Sequence, residues 1–150
     1  MKTVNIYTDG ACRGNPGDGG WGVLIEYENI SKEYFGGEKN TTNNKMELKA
    51  AIHGLSVLKE SCDVNITTDS KYVMDGITSW IENWKKNNWK NASKKDVKNK
   101  DLWIELDKLT TKHNVKWNWV KGHSGHEKNE IADALATVSY THLRAHETCT

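Results

Sequence analysis

At 150 residues the chain has room for one domain with a sizeable core and little more. Hydrophobic residues make up 36% and charged residues 27%, an ordinary balance for a soluble protein, and no apolar run approaches the roughly 18 residues that span a bilayer, which excludes a helical membrane protein. The formal net charge of +1 excludes no partner until it is resolved locally: residues 80–100, "WIENWKKNNWKNASKKDVKNK", hold seven lysines against Glu82 and Asp96, so the rest of the chain is acidic. Cys12, Cys62 and Cys149 are odd in number, far apart and without a CxxC pair. That argues against a disulfide framework or a thiolate zinc site and for a cytoplasmic protein. The opening "MKTVNIYTDG" enters a strand pattern without the apolar run and cleavage site of a signal peptide.

In chain order, "TVNIYTD" alternates as a strand, and "WGVLIEYE" and "KEYFGGE" read as two more, joined through "ENIS". From Asn43 the period changes: Glu47, Ala51, Leu55 and Leu58, with Leu48 and Ile52 alongside, predict an amphipathic helix. "DVNITTD" is a fourth strand, and Ser70 can cap a short helix beginning near Lys71. The basic segment predicts helix, loop and then the helix "DLWIELDKLTTK". "VKWNWVK" is a fifth strand with Val115, Trp117 and Trp119 on one face, and "EKNEIADALATV" a closing helix. This order predicts a mixed α/β domain: a five-stranded sheet, three antiparallel strands and then parallel ones, flanked by helices.

Gly17, Gly19 and Gly22 spell GxGxxG after a strand, as in a dinucleotide-binding turn. That site needs a helix next, with its N-terminus facing the pyrophosphate. Here "VLIEYE" continues as strand, so a glycine-rich hairpin is the better reading.

The carboxylates are more informative together than singly. Asp9 and Asp69 each stand where a strand runs out, a common place for a turn or capping aspartate. Glu47 lies on the apolar side of its helix, near the start, where a capping box with Asn44 is an alternative role. Asp133 sits in the last helix among Ala132, Leu135 and Ala136 and could equally be solvated. If the four converge at one sheet edge, their mutual repulsion calls for cations. Hard oxygen ligands of this kind suit Mg²⁺ or Mn²⁺, and two such ions can drive phosphodiester hydrolysis.

"YTDGACRGNPGDGGWG", "TTNNKMELKAA", "TTDSKYV", "WIENWKKNNWK" and "WVKGHSGHEKNEIADALA" together resemble type 1 ribonuclease H of the bacterial kind, in order from about Val4 to Ala136. The resemblance implies the ribonuclease H-like fold over residues 1–138. It implies an endonuclease that hydrolyses the RNA strand of RNA–DNA hybrids with two Mg²⁺ ions, Mn²⁺ being able to substitute, and leaves 5′-phosphate and 3′-hydroxyl ends. Asp9, Glu47, Asp69 and Asp133 match the metal-binding quartet. His123 matches the loop histidine that assists proton transfer or product departure. An HxxH zinc pair of His123 and His126 lacks a third ligand nearby.

For hybrid recognition, Asn15, Asn43 and Asn44, with Thr42 and the backbone around Cys12, Arg13 and Gly14, supply short donors and acceptors for minor groove and phosphate. Turn and cap chemistry is their other use. Trp80, Trp84 and Trp89 interleave with Lys85, Lys86 and Lys90. The resemblance makes this a basic protrusion gripping the DNA strand with salt-dependent, sequence-independent affinity; core packing is the alternative for the tryptophans. After Ala136 the likeness stops, and residues 139–150 are expected to be a disordered or foreign tail. If the truncated last helix is destabilised, a catalytically weak hybrid-binding module is the alternative. A transposase- or integrase-like enzyme fits less well, because the "TTNNKMELKAA" and "KGHSGH" blocks are present and further domains are not. A monomer without membrane association is expected.

Overall fold

The computed structural model describes residues 1–121 and 126–148, the side chains only as far as residue 139. Three long strands open the fold: β1 (Lys2–Gly14), β2 (Gly17–Tyr27) and β3 (Ile30–Thr41). They pair antiparallel, with Asp9 opposite Gly22 and Val23 opposite Tyr34. Helix α1 (Asn43–Ser56) then crosses over to β4 (Cys62–Thr68), which lies parallel to β1, and β5 (Asn114–Trp119) lies parallel to β4. The sheet order is β3-β2-β1-β4-β5, the mixed five-stranded sheet that the element order predicts.

The alternation of β1 sends Val4 and Ile6 to one face, where Val64 and Ile66 of β4 and Val23 and Ile25 of β2 join them. Helix α1 covers this face with Leu48, Ala51, Ile52 and Leu55, all buried. Each fully buried aliphatic side chain contributes about 1.5–3 kcal/mol. The cap of α1 differs from the expected one: Thr42, not Asn44, accepts the Lys45 N–H at 3.2 Å, so Glu47 has no capping duty. Ser70 does cap α2 (Lys71–Asp75), accepting from Val73 N. A wide π-type turn, Gly76–Trp80, leads into α3 (Ile81–Lys86), and α4 (Lys100–Lys112) packs Trp103 and Leu106 wholly inside.

Helix α5 (Glu127–Thr148) lies on the opposite face, over β1, β2 and β3. Its 22 residues carry helix into the segment expected to be a disordered or foreign tail, as far as Thr148. Backbone hydrogen bonding there continues without the break that a change of composition after Ala136 suggests.

His113, at the junction of α4 and β5, is buried, and its Nδ1 accepts the Cys62 N–H at 3.1 Å. Only the neutral ring accepts that bond. Burial, reinforced by the Lys112 charge, holds the imidazole below its ordinary pKa of 6.5. The unfolded chain therefore takes up the proton first as pH falls, and His113 stabilises the fold above about pH 6.5 and less below it. The stability gap between the parent and His113→Asn, read from urea melts, should narrow as pH falls from 7.5 towards 5. An unchanged gap would remove the histidine from the pH dependence.

Candidate active site

The parallel register puts Thr8 beside Thr68 as the last β1–β4 pair, so Asp9 and Asp69 come next to each other just past it. Asp69 follows the end of β4, but Asp9 lies inside β1, which continues to Gly14 paired with β2 and not into the turn expected there. Two glycines bring helices to this point. A Cβ on Gly10 would lie 2.5 Å from Glu47 N and 2.6 Å from Met46 C. The first turn of α1 thus rests directly on β1, and Glu47 is set beside Asp9. Gly22, the cross-strand partner of Asp9, does the same for α5: a Cβ there would lie 2.3 Å from the Ala132 carbonyl oxygen. Asp133 is the next residue along that helix.

One carboxylate oxygen each from Asp9, Glu47 and Asp69 lies within 4.8 Å of the others. Asp133 lines the same open cleft, of about 450 Å³, with Gly10, Asn43, Asn44 and Lys71. Asp9 and Glu47 are buried. Burial first, and then the neighbouring Asp133 and Asp69 carboxyls, push the Asp9 pKa up to about 9. Burial, with the charges of Asp9 and Asp69, likewise raises Glu47 well above the carboxylate range. Gly10 N–H donates to Asp9 Oδ1 at 2.9 Å, whereas Glu47 Oε1 and Asp69 Oδ1 are buried with no hydrogen-bond partner among the described residues. Buried, unpartnered carboxylate oxygens converging on one point are the donor set that a hard divalent cation requires.

The model of the RNase H family matches residues 1–147. The chain belongs to the RNase H family. It is 62% identical to the ribonuclease H of Francisella philomiragia subsp. philomiragia over 142 residues, 95% of this chain and 93% of that protein. Among solved structures it is similar to LC9-RNase H1, described as a type 1 RNase H with the type 2 active-site motif. That likeness has a TM-score of 0.86 and 34% identity over 94% of this chain and 73% of that one. LC11-RNase H1, solved in complex with RNA/DNA hybrid, matches with a TM-score of 0.69 over 93% of this chain and 98% of that one; at 22% identity this likeness concerns the fold alone. The family match extends beyond Ala136, where the motif resemblance read from the sequence ends.

Asp9, Glu47, Asp69 and Asp133 are thus brought to one cleft. His123 lies outside the described residues. Asn43 and Asn44 line the cleft beside Cys12. Cys12 Sγ lies against the Thr41 carbonyl at 3.2 Å, and Asn15 Oδ1 accepts from Asn43 N at 3.4 Å, so part of this cluster ties β1 to the start of α1. Arg13 is exposed, and Gly14, with φ of +85°, turns the chain at the end of β1. Trp80 is partly exposed, while Trp84 and Trp89 pack against the core. Trp84 stacks with Trp103 at 5.3 Å and Trp80 at 5.8 Å. Lys85 pairs with Asp107 at 3.4 Å, Lys90 with Asp96 at 2.6 Å, and Lys86 is exposed.

The glycine triplet is not followed by the helix a dinucleotide site needs: it lies within β2, with a register shift between Gly17 and Gly19. A Cβ at Gly17 or Gly19 would meet Arg13 or Thr41 within the protein. His126 is also more than a loop residue: its Nδ1 accepts Asn129 N–H at 3.4 Å at the start of α5. Nothing in its sequence neighbourhood distinguishes such a cap from an ordinary loop histidine.

Proposed function

We infer that this protein is a ribonuclease H, hydrolysing the RNA strand of RNA–DNA hybrids to 5′-phosphate and 3′-hydroxyl ends. The observation behind this is the meeting of Asp9, Glu47, Asp69 and Asp133 in one cleft of an RNase H-family chain. These four residues would hold Mg²⁺, with Mn²⁺ able to substitute. When bound, two such ions supply activation of water and charge stabilisation at the scissile phosphate. The chain's own contribution is placement. Gly10 N–H holds Asp9 Oδ1, and β1, the end of β4 and the first two turns of α1 and α5 fix the carboxylates before substrate arrives. Asn15, Thr42, Asn43 and Asn44 stand beside the cleft, where backbone and short amides reach a minor groove and its 2′-hydroxyls. His123 is proposed to assist proton transfer or product departure.

Trp80, Lys85, Lys86 and Lys90 form the proposed grip on the DNA strand. Replacing the three lysines with glutamine should weaken hybrid binding equally for all sequences. It should also flatten the salt dependence of KM by about 0.9 in log–log slope for each phosphate that is no longer neutralised. An unchanged slope would place the DNA strand elsewhere. Among the described residues no helix is long and apolar enough to cross a membrane. The reading extends to a monomeric cytoplasmic enzyme, in keeping with the free thiols of Cys12 and Cys62.

The test is incubation with labelled RNA–DNA hybrid, RNA duplex and DNA duplex, in Mg²⁺ and in EDTA. Cleavage of the RNA strand in the hybrid only, abolished by EDTA, is expected. Hybrid bound but uncut in Mg²⁺ would instead make it a binding module.

A further inference from the structure

We propose that Asn129 is a positioning residue that holds Asp133 against Asp9 and so sets the affinity of the acidic cleft for divalent cations. This rests on the ribonuclease reading above. Asn129 and Asp133 are four apart in α5, one turn on the same helical face. Asn129 is buried, 8% exposed, and its Nδ2 donates to the Thr8 carbonyl oxygen at 3.3 Å. Thr8 immediately precedes Asp9. One side-chain hydrogen bond therefore joins the residue before the first carboxylate to the helix turn before the fourth.

The surroundings show why this bond matters. The Asp9 and Asp133 carboxyls line one cleft, so α5 has to stay seated on β1 for the fourth carboxylate to remain beside the first. Backbone contact at Gly22 seats the helix, but it limits approach and does not oppose departure. The Lys128–Glu26 ion pair holds the rim and is partly exposed, so salt and solvent weaken it. Asn129 is the buried polar tie among the described residues between α5 and the catalytic end of β1. The chemistry suits asparagine. The position needs a donor to a carbonyl and a neutral group beside four carboxylates, and aspartate would supply neither. Residues that orient metal ligands typically change affinity by about 10–100-fold when removed.

The experiment is a calorimetric titration of Mn²⁺ into the substrate-free protein, alongside the Mg²⁺ concentration giving half-maximal hybrid cleavage. Asn129→Ala is expected to weaken Mn²⁺ binding and raise the Mg²⁺ requirement by about tenfold, with KM for the hybrid little changed. In an Asp133→Asn background the same substitution should leave Mn²⁺ affinity where it was, because its effect runs through Asp133. Wild-type Mn²⁺ affinity in Asn129→Ala, or an undiminished loss in the Asp133→Asn background, would overturn the proposal. If Asn129→Ala does not melt cooperatively, Asn129→Ser, a shorter donor, carries the same comparison. Intermediate Mn²⁺ affinity is then expected, and wild-type affinity counts against the assignment. Failure of the parent protein to cut hybrid would overturn the ribonuclease reading and leave the Mn²⁺ comparison to be judged separately.

Discussion

Asp9→Asn is expected to abolish hybrid cleavage while raising the melting temperature of the metal-free protein. The two effects share one cause. Asp9 is buried, and burial together with Asp133 and Asp69 raises its pKa from 3.8 to about 9. The folded state thus holds a proton that the unfolded chain releases near pH 4. Between about pH 4 and pH 9 the contribution of Asp9 to stability falls as pH rises. A tenfold change in acidity corresponds to about 1.4 kcal/mol, so neutralising the side chain at pH 7 should stabilise the metal-free fold by on the order of 4 kcal/mol. For a chain of this size that is roughly 10 °C in Tm. Mg²⁺ should raise the Tm of the parent more than that of the variant, since the cation relieves the same repulsion. Thermal melts in EDTA and in Mg²⁺, at pH 5.5 and 8, test each part. A lower Tm for Asp9→Asn in EDTA at pH 8 would mean that the cluster is not strained.

Gly10→Ala should be nearly as damaging to activity, although it changes no chemical group of the site. The added methyl would sit 2.5 Å from Glu47 N and 2.6 Å from Met46 C, both backbone atoms that cannot rotate away. The first turn of α1 must then lift from β1 and take Glu47 from Asp9. A displacement of about 1 Å at reacting groups costs on the order of 100-fold in kcat, and overpacking of this kind destabilises by about 1–3 kcal/mol. Assays well below the melting temperature separate the two effects. A variant that folds, binds hybrid and cuts at the parent rate would show that Glu47 does not depend on this contact.

Much of this arrangement is legible in the sequence because it follows from periodicity. The switch from alternation in "TVNIYTD" to the helical spacing of Glu47, Ala51 and Leu55 gives the element order. Asp69 follows the end of β4, and Asp9 lies beside it once β1 and β4 are parallel, although β1 runs on past Asp9 to Gly14 where the sequence suggested a turn. Periodicity also marks Glu47 as anomalous, a carboxylate on an apolar face. What it does not give is the identity of the atoms opposite. Gly10 and Gly22 look like ordinary turn and strand glycines until helices are packed on them. The capping oxygen falls on Thr42 and not on Asn44, two polar residues that compete for the same role. Trp119 alternates with Val115 and Trp117 yet emerges from the core, 42% exposed, with its Nε1 donating to the Asp69 carbonyl at 3.2 Å. Asn129, four residues before Asp133, carries a signal in its spacing, but only the Thr8 contact gives that spacing a meaning.

The order in which the carboxylates occur along the chain has a consequence for a newly made molecule. Asp9, Glu47 and Asp69 are all supplied by the first half of the polypeptide, whereas Asp133 comes with α5, the last element to be synthesised. A chain still emerging from the ribosome can gather three of these carboxylates but not the fourth. The docking of α5 over β1, β2 and β3 both covers that part of the sheet and completes the lining of the acidic cleft.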